Sequence, residues 1–244
     1  MNRERTSTSA SPDAVLAVGV TVTALAVLDN TVAPWAPFHL SHALAATAIP
    51  FAFGGLRFLA PGELRSFGRW TLALLGPFVL QAAATGLLVG WVPLLAALGA
   101  NVSDPVAVSF PAALPAVFEA GAARLGRAPG DVAFAYLGFV TLWAGFGEEF
   151  FYRGFLQRHL AARLPFGAAL VLSSLLFGVR HGAQLALLRP FPTIAALEWS
   201  LVAFLLGLVF GVIYRRTGSL FVPIVLHTLF NAIPIVSYLL AAGG

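Results

Sequence analysis

Apolar residues come in long blocks along this chain, not at the short spacing of a soluble amphipathic fold. A polar, Ser/Thr-rich segment runs from Met1 to Pro12, and apolar runs then cover Ala14 to Leu28, Ser41 to Ala60 and Trp70 to Ala100. A charged-interrupted helix starts near Asp131 and passes Arg153 towards Arg163. Further runs cover Phe166 to Leu188, Thr193 to Tyr214 and Leu220 to Leu240. Crossing a bilayer takes about 20 apolar residues. The run from Trp70 to Ala100 exceeds that, which predicts a helix that is tilted, kinked near Pro77 or Pro93, or broken. Residues 101–130 mix Asp104, Glu119, Arg124 and Arg127 with Pro105, Pro111, Pro115 and Pro129, so an interfacial or re-entrant helix is expected there. The predicted fold is an all-α, polytopic transmembrane helix bundle of about seven spans, with six to eight as the range. Its expected parts are a disordered cytoplasmic N-terminus (1–12), N-terminal membrane helices (13–130) and a catalytic helical core (131–244). Arg3, Arg5 and the Ala24-Leu25-Ala26 near the end of the first run also resemble a signal peptide, but the many spans that follow favour a retained helix.

Composition narrows the class. Hydrophobic residues make up 59% of the 244 and charged residues 10%, against about 45–50% and about 25% in soluble domains. A cytosolic globular enzyme and a disordered chain are therefore poor readings. The net charge of +4 does not indicate a nucleic-acid partner, because all 14 basic residues are arginines scattered between apolar runs without a basic stripe. Their placement reads as topology. With seven spans and a cytoplasmic N-terminus, the inner side receives ten arginines: Arg3, Arg5, Arg57, Arg65, Arg69, Arg153, Arg158, Arg163, Arg215 and Arg216. Turning residues 102–127 into a span lowers the inner count to eight. The expected location is the cell membrane, multi-pass. The absence of cysteine removes disulfides, thiol nucleophiles and thiolate metal sites.

Ionisable groups inside membrane helices cost about 2.5–3.5 kcal/mol each on insertion scales, so those present need a reason. The first group is Glu148-Glu149-Phe150-Phe151-Tyr152-Arg153. Glu149 and Arg153 stand four apart in the favourable order for a helical ion pair. Glu148 is then left without a local partner and is a candidate general base; the bland alternative is one structural ion-pair network. The second group is Phe177-Gly178-Val179-Arg180-His181, where a lone histidine is more often structural. The third is His227-Thr228-Leu229-Phe230-Asn231, whose polar pair also suits simple helix–helix bonding. At about 1.5 Å per residue, Glu148, His181 and His227 all fall roughly 12–22 Å from the expected cytoplasmic end of their helices. The set can activate a water and stabilise an oxyanion, or hold a metal.

Glu-Glu-x-x-x-Arg, Phe-x-x-x-His and His-x-x-x-Asn, in that order on separate membrane helices, resemble the CPBP intramembrane proteases. That family includes the type II CAAX prenyl endopeptidases and bacterial proteins linked to bacteriocin self-immunity. The resemblance covers about residues 131–240. It implies that Glu148 activates the attacking water, His181 binds or polarises it, and His227 with Asn231 stabilises the oxyanion. Glu149 and Arg153 would position these groups, and Phe177 would pack. The family is described both as metal-dependent and as glutamate-type. Lacking a His-Glu-x-x-His, this chain is read as metal-free, with zinc on Glu148, His181 and His227 as the alternative.

The resulting expectation is an intramembrane endopeptidase whose cavity opens to the cytoplasmic side, acting on membrane-protein or lipidated-peptide substrates in the bilayer. A non-catalytic immunity or scaffold protein of the same fold, and less so a proton-coupled transporter, stand as rivals. Other polar residues get structural roles. Glu198 is expected near an interface or beside an arginine, and Gln81 between helices. His39, His42 and His159 have no motif partners. Gly207-x-x-x-Gly211 favours close helix packing, and Arg215-Arg216 reads as a topology anchor with attraction for acidic lipid.

Overall fold

The computed structural model describes residues 11–32, 40–52, 67–139 and 143–242. The expected disordered tail over residues 1–10, Arg57, Arg65, His39 and the end of the second apolar run lie outside the described residues, as does the side chain of His42. Within them the chain is all-α, with no strand. The helices are α1 (Pro12–Val32), α2 (Leu40–Ala52), α3 (Phe67–Ala97), α4 (Pro105–Val108), α5 (Phe110–Leu125) and α6 (Pro129–Phe139). After them come α7 (Gly145–Glu149), a π-helical stretch (Phe150–Gln157) and α8 (Arg158–Ala161). The remainder is α9 (Phe166–Gly182) with a 3₁₀ extension (Ala183–Leu187), α10 (Thr193–Thr217) and α11 (Phe221–Ala242).

Among the described residues, four helical stretches are long and apolar enough to cross a membrane: Gly68–Ala97, Phe166–Ala186, Thr193–Thr217 and Phe221–Ala242. Pro12–Ala26 and Ala43–Ala52 are shorter apolar stretches. The long charge-free run does fold as one helix, with Pro77 and Pro93 inside α3. Large side chains on its surface stay uncovered, Phe78, Val79 and Val89 each being more than half exposed, as a lipid-facing helix requires. Residues 101–130 make two helices at a break on Ser109, and neither is among the four long ones.

Two apolar clusters organise the bundle. One joins α3, α5, α10 and α11 through residues such as Ala73, Phe110, Trp199, Phe210 and Leu226. The other joins α1, α2, the π-helical stretch and α9 through Val15, Ala46, Phe151, Leu156 and Phe177. Close approach of α9 and α10 depends on missing side chains. A Cβ on Gly178 would stand 2.6 Å from the Ser200 carbonyl, and one on Gly182 would stand 2.8 Å from that of Ala196. Gly207 and Gly211 of the small-residue motif face Ser174, Leu170 and Gln157 in the same way. Gly145 lets α7 meet α11, since its Cβ would stand 2.0 Å from Thr228 Oγ1. That contact sets the two carboxylates after Gly145 beside the histidine before Thr228.

Candidate active site

Glu148 and Glu149 end α7 where the helix widens into the π-helical stretch, all eight residues of which are buried. Such widened turns are rare and recur at functional sites. Both carboxylates are buried, Glu149 completely. Glu149 Oε1 accepts from Arg153 Nη1 at 2.9 Å and from His227 Nδ1 at the same distance. The Arg153 guanidinium carbon lies 4.2 Å from the Phe177 ring centre and 5.5 Å from that of Phe210. The motif aromatic is thus the floor under the motif arginine. Arg153 is 1% exposed, so it drops out of the arginines that mark the inner membrane face.

Glu148 is not the unpaired acid that sequence spacing suggested. Arg180 of α9 approaches its Oε1 at 2.7 Å, from a side chain that is itself buried. The partner comes from another helix, which spacing along one helix cannot reveal. A signal was nevertheless present: Arg180 is the one charged residue between Arg163 and Arg189, histidine aside. An arginine amid a membrane helix needs a counter-charge, and Glu148 was the acid left over. Glu148 Oε2 has no hydrogen-bond partner among the described residues.

That oxygen faces two imidazoles. His181 Nε2 lies 3.8 Å from it and His227 Nε2 3.9 Å. The rings are fixed from behind. His181 Nδ1 bonds the Phe177 carbonyl at 2.7 Å, and His227 Nδ1 bonds Glu149. Both partners are acceptors, so both Nδ1 atoms carry the proton and both Nε2 atoms are turned to Glu148. Ligand atoms of Glu148, His181 and His227 lie within 4.8 Å of one another.

Glu148, Arg180, His181 and Asn231 line one cavity of about 50 Å3, together with Tyr136, Gln184 and Trp199. The structure thereby brings Asn231 to the same space as Glu148 and His181. The last three lining residues carry no motif and were not singled out from sequence. They form a chain of their own, Trp199 Nε1 donating to Gln184 Oε1 at 2.8 Å and Gln184 Nε2 to the Tyr136 hydroxyl at 3.4 Å. Beside this cavity lies a larger apolar one of about 460 Å3, walled by α3, α5 and α11. Phe110 and Trp199 line both, their rings stacked at 4.0 Å and 2°. Glu198 has a local task here: buried, it accepts from the Phe110 N–H at the start of α5 and pairs with no arginine among the described residues. Gln81 sits on the wall of the larger cavity, and His159 bonds the Phe155 carbonyl four residues back.

Comparison with known proteins covers this same part of the chain. Residues 130–233 match the family profile described as type II CAAX prenyl endopeptidase, Rce1-like. The uncharacterized protein YpbD of Bacillus subtilis (strain 168) is 35% identical over 95 residues, which are 39% of this chain and 41% of YpbD. The alignment therefore spans less than half of that relative's length. No solved structure matches the chain. Glu148, Glu149, Arg153, Arg180, His181, His227 and Asn231 all fall inside the segment, residues 130–233, that is similar to the Rce1-like type II CAAX prenyl endopeptidases.

Proposed function

We propose that this protein is an intramembrane endopeptidase in which Glu148 activates a water that attacks a peptide carbonyl at or within the bilayer. The observation that carries the reading is the meeting of Glu148 Oε2 with the Nε2 atoms of His181 and His227 from three separate helices. Arg180 occupies the other carboxylate oxygen and so fixes which one takes the proton. The water donates to Glu148 Oε2 and to His181 Nε2, which accepts because its Nδ1–H is committed to Phe177. As the oxygen attacks, its proton passes to Glu148 and later goes to the leaving amine. The oxyanion is met by the Asn231 amide and by His227. The Glu149 carboxylate on Nδ1 holds the His227 ring towards that oxyanion. Glu149 and Arg153 are thus positioning residues.

The substrates that fit are membrane-protein or lipidated peptides reaching the site from the bilayer, and the location we assign is the cell membrane with the cavity opening to the cytoplasmic side. The test is hydrolysis by the purified chain reconstituted in lipid. Glu148→Gln and His181→Ala are expected to lower cleavage strongly while remaining folded, and Glu148→Gln is expected to retain substrate for identification. Full activity of the Glu148 variant would refute the mechanism. A cellular phenotype that persists in Glu148→Ala would favour a binding or immunity role.

One observation favours a second reading. With both imidazoles neutral, three lone pairs converge, and each ring is held at Nδ1 by a carbonyl or carboxylate, as metal-ligating histidines are. Glu148, His181 and His227 are a fitting donor set for zinc, which would supply Lewis-acid polarisation and a more acidic water. Elemental analysis and zinc titration of the wild type against His227→Ala separate the two: stoichiometric zinc lost in the variant favours the metal, and cleavage retained in metal-free protein favours glutamate alone.

A further inference from the structure

Three side chains of the cavity beside Glu148 carry no motif, and together they fix the direction of one proton. The indole N–H of Trp199, on α10, can only donate, and it donates to Gln184 Oε1 at 2.8 Å. That bond orients an amide that could otherwise sit either way round. Its Nε2 hydrogens therefore face the Tyr136 hydroxyl of α6, 3.4 Å away. Long as that bond is, the amide turns hydrogens and no lone pair to the phenol, so Gln184 cannot accept the phenolic proton. Among the described residues no other side chain accepts it. Tyr136 is buried, and a buried hydroxyl hydrogen without an acceptor is unfavourable. Gln184, which the hydroxyl touches, lines the same cavity as Glu148, so the hydroxyl end of the ring reaches that space. The direction left to the proton is the cavity.

Helix packing sets this donor next to Asn231. Tyr136 shares an apolar cluster with Ile235 of α11. Ile235 stands four residues after Asn231 on the same helix face, and both line the cavity. Phenol and carboxamide thus come from neighbouring positions on α6 and α11, whereas Glu148 and His181 come from α7 and α9.

Under the endopeptidase reading, on which this role rests, we infer that Tyr136 is a further catalytic residue whose hydroxyl donates to the oxyanion beside Asn231. Gln184 and Trp199 are positioning residues that keep its proton turned to the cavity. The hydroxyl retains that proton throughout, so the transfer from water to Glu148 and on to the leaving amine is unchanged. A donor whose bond strengthens as charge grows on the oxygen acts on the transition state more than on the bound peptide.

Hydrolysis by the full chain in proteoliposomes tests this role, with a library of quenched fluorescent peptides built on an apolar span as the probe. Tyr136→Phe keeps the ring against Phe118, where it packs edge-on at 5.7 Å. It is expected to lower kcat about 100-fold, with KM and thermal unfolding little changed. Gln184→Glu offers lone pairs to both neighbours and draws the phenolic proton out of the cavity, so kcat should fall similarly although the hydroxyl is still present. Both changes withdraw one donor, and Tyr136→Phe/Gln184→Glu should therefore lose about as much as either alone. If Gln184→Glu does not fold, Gln184→Met serves, with a smaller loss of kcat at unchanged KM because the hydroxyl is only freed to rotate. Tyr214→Phe, near the other end of α10 where the hydroxyl bonds Arg158, should keep the wild-type kcat. Where Glu148→Gln lowers cleavage, a wild-type kcat in Tyr136→Phe, a loss confined to KM, or additive losses in the double variant would each overturn the role of Tyr136 alone. A wild type that cleaves no peptide of the library would overturn the endopeptidase reading and this role with it.

Discussion

Glu148 and Glu149 are neighbours in sequence with different partners. One oxygen of Glu149 serves both Arg153 and His227, whereas Glu148 divides its two oxygens between Arg180 and the imidazole pair. Under the endopeptidase reading, Glu148→Gln removes the proposed base and should lower kcat about 10²–10⁴-fold, the usual range for general-base catalysis, with little change in KM. Asn231→Ala should cost about 10²–10³-fold in kcat without lowering thermal stability, because Asn231 is only partly buried. Arg180→Ala acts differently, leaving the buried Glu148 carboxylate without its cation. It should destabilise by about 3–5 kcal/mol, and Glu148→Ala added to it should recover part of that loss. Thermal unfolding of the single and double variants checks this, and strictly additive effects would show that the pair is not coupled. The motif residues were legible in the sequence because charge in an apolar helix stands out. The Glu148–Arg180 pair was not read, because residues 32 positions apart on different helices share no periodicity.

At the scale of elements, the long apolar runs predicted α3, α9, α10 and α11, since a charge-free stretch has no other stable form in lipid. The π-helical stretch was not legible. Its sequence, Phe-Phe-Tyr-Arg-Gly-Phe-Leu-Gln, carries no signal against an ordinary helix, and the widening follows from what surrounds it. The break at Ser109 was also missed, although Pro105 and Pro111 hinted at irregular backbone. Glycine placement gives a test at this scale. Gly178→Ala would push a methyl group against the backbone of α10, which cannot yield as a side chain can, and should destabilise by about 1–3 kcal/mol. Gly90→Ala on α3 meets nothing within 4 Å and should be neutral or slightly stabilising. Thermal melts of the two variants in one detergent compare them directly, and equal effects would contradict the close packing of α9 on α10.

For the whole molecule, composition alone settled the all-α membrane class, but hydropathy did not settle the number of crossings. Among the described residues four stretches satisfy length and apolarity, and α1, α2, α5 and the pieces from α6 to α8 are shorter or interrupted. The chain has no cysteine, so single introduced cysteines report sidedness cleanly. Arg163→Cys and Arg216→Cys, at the facing ends of α9 and α10, should be labelled by an impermeant maleimide from the same side. Phe191→Cys, in the exposed turn between those helices, should be labelled from the other. Labelling of all three from one side would mean that α9 and α10 do not cross. Under the endopeptidase reading, the stacked Phe110 and Trp199 rings then acquire a kinetic meaning. About 50 Å3 accommodates a few water molecules and no polypeptide, so a peptide lying in the larger cavity reaches Glu148 only once the two rings have moved apart. Turnover of a bulky substrate should slow in a stiffer, more viscous bilayer, whereas a small diffusible ester, which needs the rings to part less, should be slowed less.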